Sequence, residues 1–407
     1  MGRRALVTTG GPLSGTTVLE LGSLIAGPFA GQLLGDYGAD VIKIEPLGDG
    51  DPMRRWGVLH EGDGLWWPTI GRNKRSVCID IRTASGQDLV RRLAARVDVV
   101  TENFRPGRMA QWGLGYDALS AANPGLVLAH VSGFGQTGPR STDAGFGSIG
   151  EAMGGIRYTT GSPDRPPSRY GVSLGDALTS LFTVIGVLAA LNEVRRTGRG
   201  QEVDVAIYEA VAALMESTMA DYELGGVVRE RSGSVLPGVA PSNVYRAGDG
   251  TEILIAANAD AVFARLCVVM GRPELATDER YATHRARAER QAELDDLIAA
   301  WAVRFDGETL LQRLQEGGVP AGRIFTAADM VSDPHYAARD MVLRLASYQG
   351  WQVPMTGVVP KFSATPGEVR TTGAPLGAHT REVLTELAGT DADELAALEA
   401  AGVISCG

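Results

Sequence analysis

The amino-acid sequence predicts an α/β protein: a doubly wound parallel (Rossmann-like) large domain joined to a smaller α+β domain. Three observations carry this. Apolar runs of strand length alternate with helical stretches through the first half of the chain, the signature of consecutive βαβ units. The alternation stops at 225–243, GGVVRERSGSVLPGVAPSN, whose glycine, proline and charge mark a linker. And 407 residues, 44% of them hydrophobic, exceed what one ordinary core requires. The expected organisation is a large domain over 1–224, a linker over 225–243, a small domain over 244–316, a second crossing over 317–331, and a return to the large domain over 332–407.

In chain order, TTVLEL (16–21) reads as the first strand, and a helix opens at Ala26-Gly27-Pro28, where proline suits the first turn. VIKIE (41–45) is the second strand. The resulting βαβ unit places ligand-binding loops at the strand carboxyl ends, here 23–27 and 46–51. The pattern repeats with SVCIDI (76–81), a helix over 87–96, VDVVTENF (97–104), a helix around 109–121 and LVLAHVSGFG (126–135). The stretch 171–198, GVSLGDALTSLFTVIGVLAALNEVRRTG, reads as a long helix buried on most sides from Ala177 to Val194. Asp176 serves as its cap, and Arg195, Arg196 and Gly198 supply its carboxyl-terminal signals. EVDVAI (202–207) is a further strand and 208–222 a helix. Beyond the linker, NVYRAGDGTEILIAAN (243–258) predicts a hairpin turning at Gly248-Asp249-Gly250, followed by helices near 261–270, 286–304 and 307–316.

A formal net charge of -10 argues against nucleic acid or an anionic membrane as partner, so an anionic ligand must be met by a local basic pocket. Arg54, Arg55, Arg72, Lys74, Arg75, Arg105 and Arg108 flank strand and loop ends and are either such a pocket or solvated surface charges. Cys78, Cys267 and Cys406 form neither a disulfide framework nor a zinc pattern, which fits a reducing cytoplasm. MGRRALVTTGG has basic residues without a following apolar core, so no secretory signal is expected there. The single apolar run 177–194 reads as a core helix rather than a membrane span. A literal G-x-G-x-x-G at Gly133–Gly138 follows a late strand and leads into more loop, which is the wrong context for a dinucleotide site. The five histidines show no metal-protease spacing and read as structural or exposed. Cys78 lies inside a predicted strand, where a thiol is inert. Asp176 itself stays open between two roles. It is a structural cap, or, with the glycine-rich chain before it (Gly145, Gly147, Gly150, Gly154, Gly155, Gly161) letting backbone approach a ligand, a nucleophile.

The pieces LIAGPFAGQLLGDYGADVIKIEPLGDGDP (24–52), GRNKRSVCIDIRTASGQ (71–87), DVVTENFRPG (98–107), VSGFGQTGP (131–139), the Asp176 segment and GRGQEVDVAIYEA (198–210) resemble, in this order, the family III CoA-transferases, also called the CaiB/BaiF family. The resemblance runs from about Gly15 to Thr380. It implies transfer of CoA from an acyl-CoA to a free carboxylic acid, a small dicarboxylate by analogy, with Asp176 as nucleophile and an aspartyl-CoA thioester as intermediate. It implies CoA as substrate with no tightly bound cofactor or metal. It places Ala26, Asn73, Lys74, Arg75, Asn103, Phe104 and Arg105 near the CoA chain, Phe104 either stacking or packing in the core. With the two expected crossings, it implies a homodimer of interlinked ring-like subunits.

Three features separate this chain from neighbouring activities. The α-methylacyl-CoA racemases need a histidine in the segment matching GFGSIGEAMGG, where Phe146-Gly147 stands, and phenylalanine can be neither acid nor base. Many transferases carry an aromatic-acid pair at that same place, and Glu151 is read here either as compensating for the missing acid or as a surface acid. The oxalate enzymes carry consecutive glycines in the second domain, where LPGVAPSN has Gly238 alone. A non-catalytic acyl-CoA-binding protein would keep the basic and glycine-rich pieces without needing Asp176.

Overall fold

The structure, a computed structural model, describes residues 10–407. Nearly all of the amino-terminal stretch read for a signal sequence lies outside the described residues. The chain divides into two compact units: residues up to Ile156 with Tyr170–Met219 and Pro334–Gly407, and Arg157–Arg169 with Ala220–Asp333. The second unit thus takes in 157–169, which the sequence expectation leaves in the large domain.

The first unit is built on strands β1 (Thr17–Glu20), β2 (Asp40–Glu45), β3 (Lys74–Ile79), β4 (Val99–Glu102), β5 (Val127–Ser132) and β6 (Glu202–Ala206). They pair in parallel in the order β3-β2-β1-β4-β5-β6, and Ile404–Ser405 adds antiparallel to β3 as the seventh strand. The order reverses at β1, so the topological switch point lies between the carboxyl ends of β1 and β4. Buried parallel strands show apolar residues on both faces. Val18, Val41 and Val99 pack on one side with Leu34 of helix α1 (Ala26–Asp36), while Leu19, Ile42 and Val100 pack on the other with Leu89 and Leu93 of helix α2 (Ala84–Ala94).

Charge is also buried at the strand ends. Lys43 Nζ donates to Glu20 Oε1 at 2.9 Å and to Gly22 O at 2.8 Å, and it lies 2.9 Å from Asp51 Oδ2. Lys74 Nζ lies 2.8 Å from Glu20 Oε2 and donates to Pro28 O at 2.6 Å. Burial alone would depress the Lys43 ammonium, but Glu20, Asp51 and Glu45 hold its pKa above the ordinary lysine value. Burial likewise pushes Glu45 up, yet the Arg54 guanidinium, Lys43 and Ser76 outweigh it and hold the carboxyl low. Arg54 donates to the two Glu45 oxygens from Nε and Nη2, each at 2.8 Å. These pairs fasten the loops that leave β1 and β2.

Several helices are shorter than their sequence pattern. The stretch around 109–121 forms Arg108–Gln111 and Tyr116–Ala122, parted at Gly113, whose φ of +67° is left-handed. The helix expected over 208–222 becomes Ile207–Ala212 and Thr218–Gly225, with Glu216 left-handed between them, and 286–304 becomes His284–Glu289 and Gln291–Ala302. In the second unit the hairpin forms as expected, Ser242–Arg246 against Glu252–Ala256, with Ala321–Arg323 as third strand.

The long apolar helix spans Leu174–Thr197 and is two-faced rather than buried on most sides. Thr183, Val184, Val187 and Leu191 are buried, whereas Leu181, Ile185 and Leu188 are 45%, 59% and 37% exposed. Among the described residues it is the one helix long and apolar enough to cross a membrane, with half of its apolar window packed inside the protein.

Lys43→Met would leave the buried Asp51 without its cation and Glu20 with Lys74 alone. It should destabilise the protein by about 3–5 kcal/mol, read as a lower denaturant midpoint at unchanged slope. A loss under about 1 kcal/mol would show that the pairs contribute little to the fold.

Candidate active site

Asp176 does not cap its helix. The cap residue is Ser173, Leu174 is the first helical residue, and Asp176 is the third. We number this helix α4, after the short α3 (Gly147–Met153) and before α5 (Ile207–Ala212). Ser173 makes no side-chain capping bond. Instead Glu151 Oε1, on α3, accepts from Gly175 N at 3.2 Å. The half-buried Asp176 carboxyl therefore sits in the first turn, where the helix dipole favours an anion. One turn on, Ser180 Oγ lies 2.6 Å from Ala26 O and 2.8 Å from Asp176 O, tying this turn to the start of α1.

The preceding glycines mostly admit protein rather than ligand. A Cβ on Gly150 would lie 2.3 Å from Ile207 Cγ2, and one on Gly154 would lie 2.6 Å from Val211, both on α5. Gly147 differs, since a Cβ there would lie 2.4 Å from Asp176 Oδ2. The α3 backbone thus presses directly on the carboxylate. Phe146, next to it, is 67% exposed. Glu151 is not a surface acid: it is 1% exposed. Its position four residues after Gly147 puts both on one face of α3, a spacing that the sequence does show.

At the switch point a cavity of about 570 Å³ opens between the carboxyl ends of β1, β2, β3 and β4. Phe104 and Trp112 stand edge to face in its wall, ring centroids 5.2 Å apart, with Arg82 and Arg108 beside them. Asn103 fastens the Ser23 wall of the cavity, accepting from Ser23 N at 2.9 Å and donating to Ser23 O at 2.7 Å. Arg105 follows, exposed. Trp112 and Arg82 went unrecognised in the sequence because single residues in loops and short helices carry no pattern.

Asn73, Lys74 and Arg75 lie apart from this crevice, at the amino end of β3. Asn73 Nδ2 donates to Asp36 and Glu368 O, Lys74 is held by Glu20, and Arg75 pairs with Asp40, Glu382 and Glu386. Arg54 and Arg72 are likewise engaged, with Glu45 and Asp36. Of the basic residues singled out in the sequence, Arg105 and Arg108 are the ones left exposed without a carboxylate among these ion pairs, and Arg108 lies over the Trp112 ring.

His130 on β5 is buried, with Nδ1 against Glu102 and Nε2 3.1 Å from Glu202. Burial would lower its pKa, but the two carboxylates raise it. The Cys78 thiol is pushed up to about 12 by burial, consistent with an inert strand residue. Among the described residues no group of three or more His, Cys, Asp and Glu is arranged to hold a metal ion.

The family model of CoA-transferase family III matches residues 13–380. The chain is 56% identical over 394 residues to succinyl-CoA–D-citramalate CoA-transferase of Chloroflexus aurantiacus, covering 97% of this chain and 98% of that one. It is 41% identical to the alpha subunit of succinyl-CoA–L-malate CoA-transferase of the same organism, over 97% and 92% of the two chains. It is 37% identical to succinate–glutarate CoA-transferase of Agrobacterium fabrum, over 92% and 96%. A crystal structure of a CaiB/BaiF family protein from Brucella suis superposes with a TM-score of 0.81 at 38% identity, covering 93% of this chain and all of that one. With a family match over nearly the whole chain and relatives this similar end to end, the chain belongs to the family III CoA-transferases.

Proposed function

We propose that this enzyme moves CoA from succinyl-CoA to a small dicarboxylic acid, and that Asp176 carries the CoA between them. The observation that supports the assignment is the setting of Asp176: a half-accessible carboxylate in the first turn of a helix, with the backbone of Gly147 close against one oxygen. The choice of substrates rests on the relatives, whose names pair succinyl-CoA or succinate with D-citramalate, L-malate or glutarate.

The chemistry balances as four acyl exchanges. Asp176 attacks the thioester carbonyl, the C–S bond breaks, and CoA leaves as thiolate from a mixed anhydride. The thiolate attacks the Asp176 carbonyl, releasing succinate and leaving an aspartyl-CoA thioester. The acceptor carboxylate attacks that thioester and displaces the thiolate again. The thiolate then takes the acceptor acyl group, restoring the Asp176 carboxylate. Each step exchanges one C–O or C–S bond, so no redox equivalent is consumed.

The switch-point crevice is the site we assign to the nucleotide end of CoA. Phe104 and Trp112 offer faces and edges to a base, and Arg108 offers a guanidinium to phosphates, with Arg82, paired to Asp80, beside it and Arg105 exposed on the chain after Phe104. Asn103 holds its Ser23 wall, and Ala26, three residues on, meets the Asp176 turn through Ser180. Asn73, Lys74 and Arg75 support CoA binding indirectly, by holding β3 to its neighbours. The apolar stripe Leu181, Ile185 and Leu188 and the repeated passage of the chain between its two units support an interlinked homodimer in which a second subunit covers that stripe.

Asp176→Asn keeps shape and fold, with stability within about 1 kcal/mol of the parent, while transfer should fall by more than about a thousandfold. In the unaltered protein, succinyl-CoA should leave an adduct on the Asp176 peptide that hydroxylamine converts to a hydroxamate. Near-normal transfer by the variant, or an adduct elsewhere, would overturn the assignment. Phe146, the residue before the Gly147 that meets Asp176, can carry no proton, so solvent deuterium should stay out of the α carbon of a 2-methylacyl-CoA. Rapid incorporation dependent on Asp176 would make proton transfer the primary activity. Sedimentation on serial dilution should show a dimer that does not separate without loss of helix signal, and a reversible monomer at micromolar concentration would sink the interlinked arrangement.

A further inference from the structure

We infer that Glu151 is a positioning residue for Asp176, an inference that rests on the role proposed for Asp176 above. A helix start leaves backbone N–H groups without intrahelical partners, and the cap side chain ordinarily accepts from the second or third helical residue. In α4 the Ser173 side chain does not do this. The second-residue N–H, that of Gly175, is taken at 3.2 Å by Glu151, a residue twenty-four positions earlier on another helix. The carboxylate that does so is almost wholly withdrawn from solvent at 1% exposure. Taking a carboxylate out of water is unfavourable unless it answers a specific need.

That need is geometric. Gly175 is the residue before Asp176, so the bond fixes the peptide plane from which the nucleophile projects. The fit is close on both sides: a Cβ on Gly175 would meet Glu151 Cγ at 3.0 Å and Gly147 O at 3.1 Å. Glu151 and Gly147 are on the same face of the same helix. Through Glu151, α3 grips the backbone of the first turn; through Gly147, it sets the place of the carboxylate. A small shift of that turn would move Asp176 out of line with a thioester carbonyl, and misplacement of about 1 Å can lower a rate roughly a hundredfold.

The test compares Glu151→Gln, which keeps an acceptor oxygen, with Glu151→Ala and Glu151→Leu, which do not. Glutamine should hold kcat within about threefold. Alanine and leucine should lower kcat roughly 10- to 100-fold with KM for succinyl-CoA within about twofold. Single-turnover formation of the hydroxylamine-trapped Asp176 adduct should slow in parallel. Amide exchange at Gly175 should stay protected in the glutamine variant and become fast in the other two. Unchanged adduct formation in the alanine variant, glutamine as slow as alanine, or a rise in KM at constant kcat would each overturn the inference. If alanine and leucine both fail to fold, exchange at Gly175 in the glutamine variant decides, since loss of protection there means the oxygen is not the anchor. Asp176→Asn, run alongside, separates the two levels. A functional Asp176→Asn removes the nucleophile assignment itself, whereas an inactive one with a normal Glu151→Ala removes only the positioning role.

Discussion

The Lys43 ammonium, buried between Glu20 and Asp51 with Gly22 O as a third acceptor, is the constraint on which the rest of the first unit depends. A charge withdrawn from water must be matched closely, and here the match comes from the last residue of β1 and from the loop after β2. Lys74 repeats the device from β3 and reaches Pro28 O in the first turn of α1. Strand ends that in other sheets splay into mobile loops are thereby set to one geometry. The crevice at the switch point keeps its shape because its floor is made of these same loops. Asp176 is then referred to that floor through the contact of Ser180 with Ala26.

The two apolar faces of α4 divide the labour of the fold. One face joins α1 against β1, β2 and β4, which is what any helix on a parallel sheet does. The other finds no cover in the first unit alone. A helix so placed ties the position of its first turn both to the core of its own chain and to whatever meets its outer face. On the proposed roles of Asp176 and of this stripe, catalytic geometry and assembly would share one rigid body.

Much of the fold was legible because buried parallel strands read as continuous apolar runs and their connections follow one hand. VIKIE was recognisable as a strand despite its lysine, yet nothing in the run shows that Lys43 points into a carboxylate pair. The basic clusters illustrate the limit. Arg54, Arg72, Lys74 and Arg75 look like a phosphate site in sequence because their acidic partners, Glu45, Asp36, Glu20 and Asp40, lie between 9 and 54 positions away and join them only on folding. The start of α4 was misplaced for a related reason. Ser173 and Asp176 are both good caps, and the group that actually satisfies the turn belongs to another helix. The exposed stripe was hidden because a helix apolar on every side has no periodicity to betray which side is covered.

Gly147 has a consequence for how such a site can change over generations. With a Cβ there falling 2.4 Å from Asp176 Oδ2, any single-codon replacement that adds a side chain displaces the carboxylate before it can contribute a new function. The neighbouring position 146 is under no such restriction, its side chain being 67% exposed. Drift toward a different chemistry therefore has one open door and one closed one, side by side. A second functional group can arrive at 146 alone, whereas at 147 it must be preceded by a compensating shift of α3 or α4, so the order in which substitutions accumulate is constrained by a single missing methyl group.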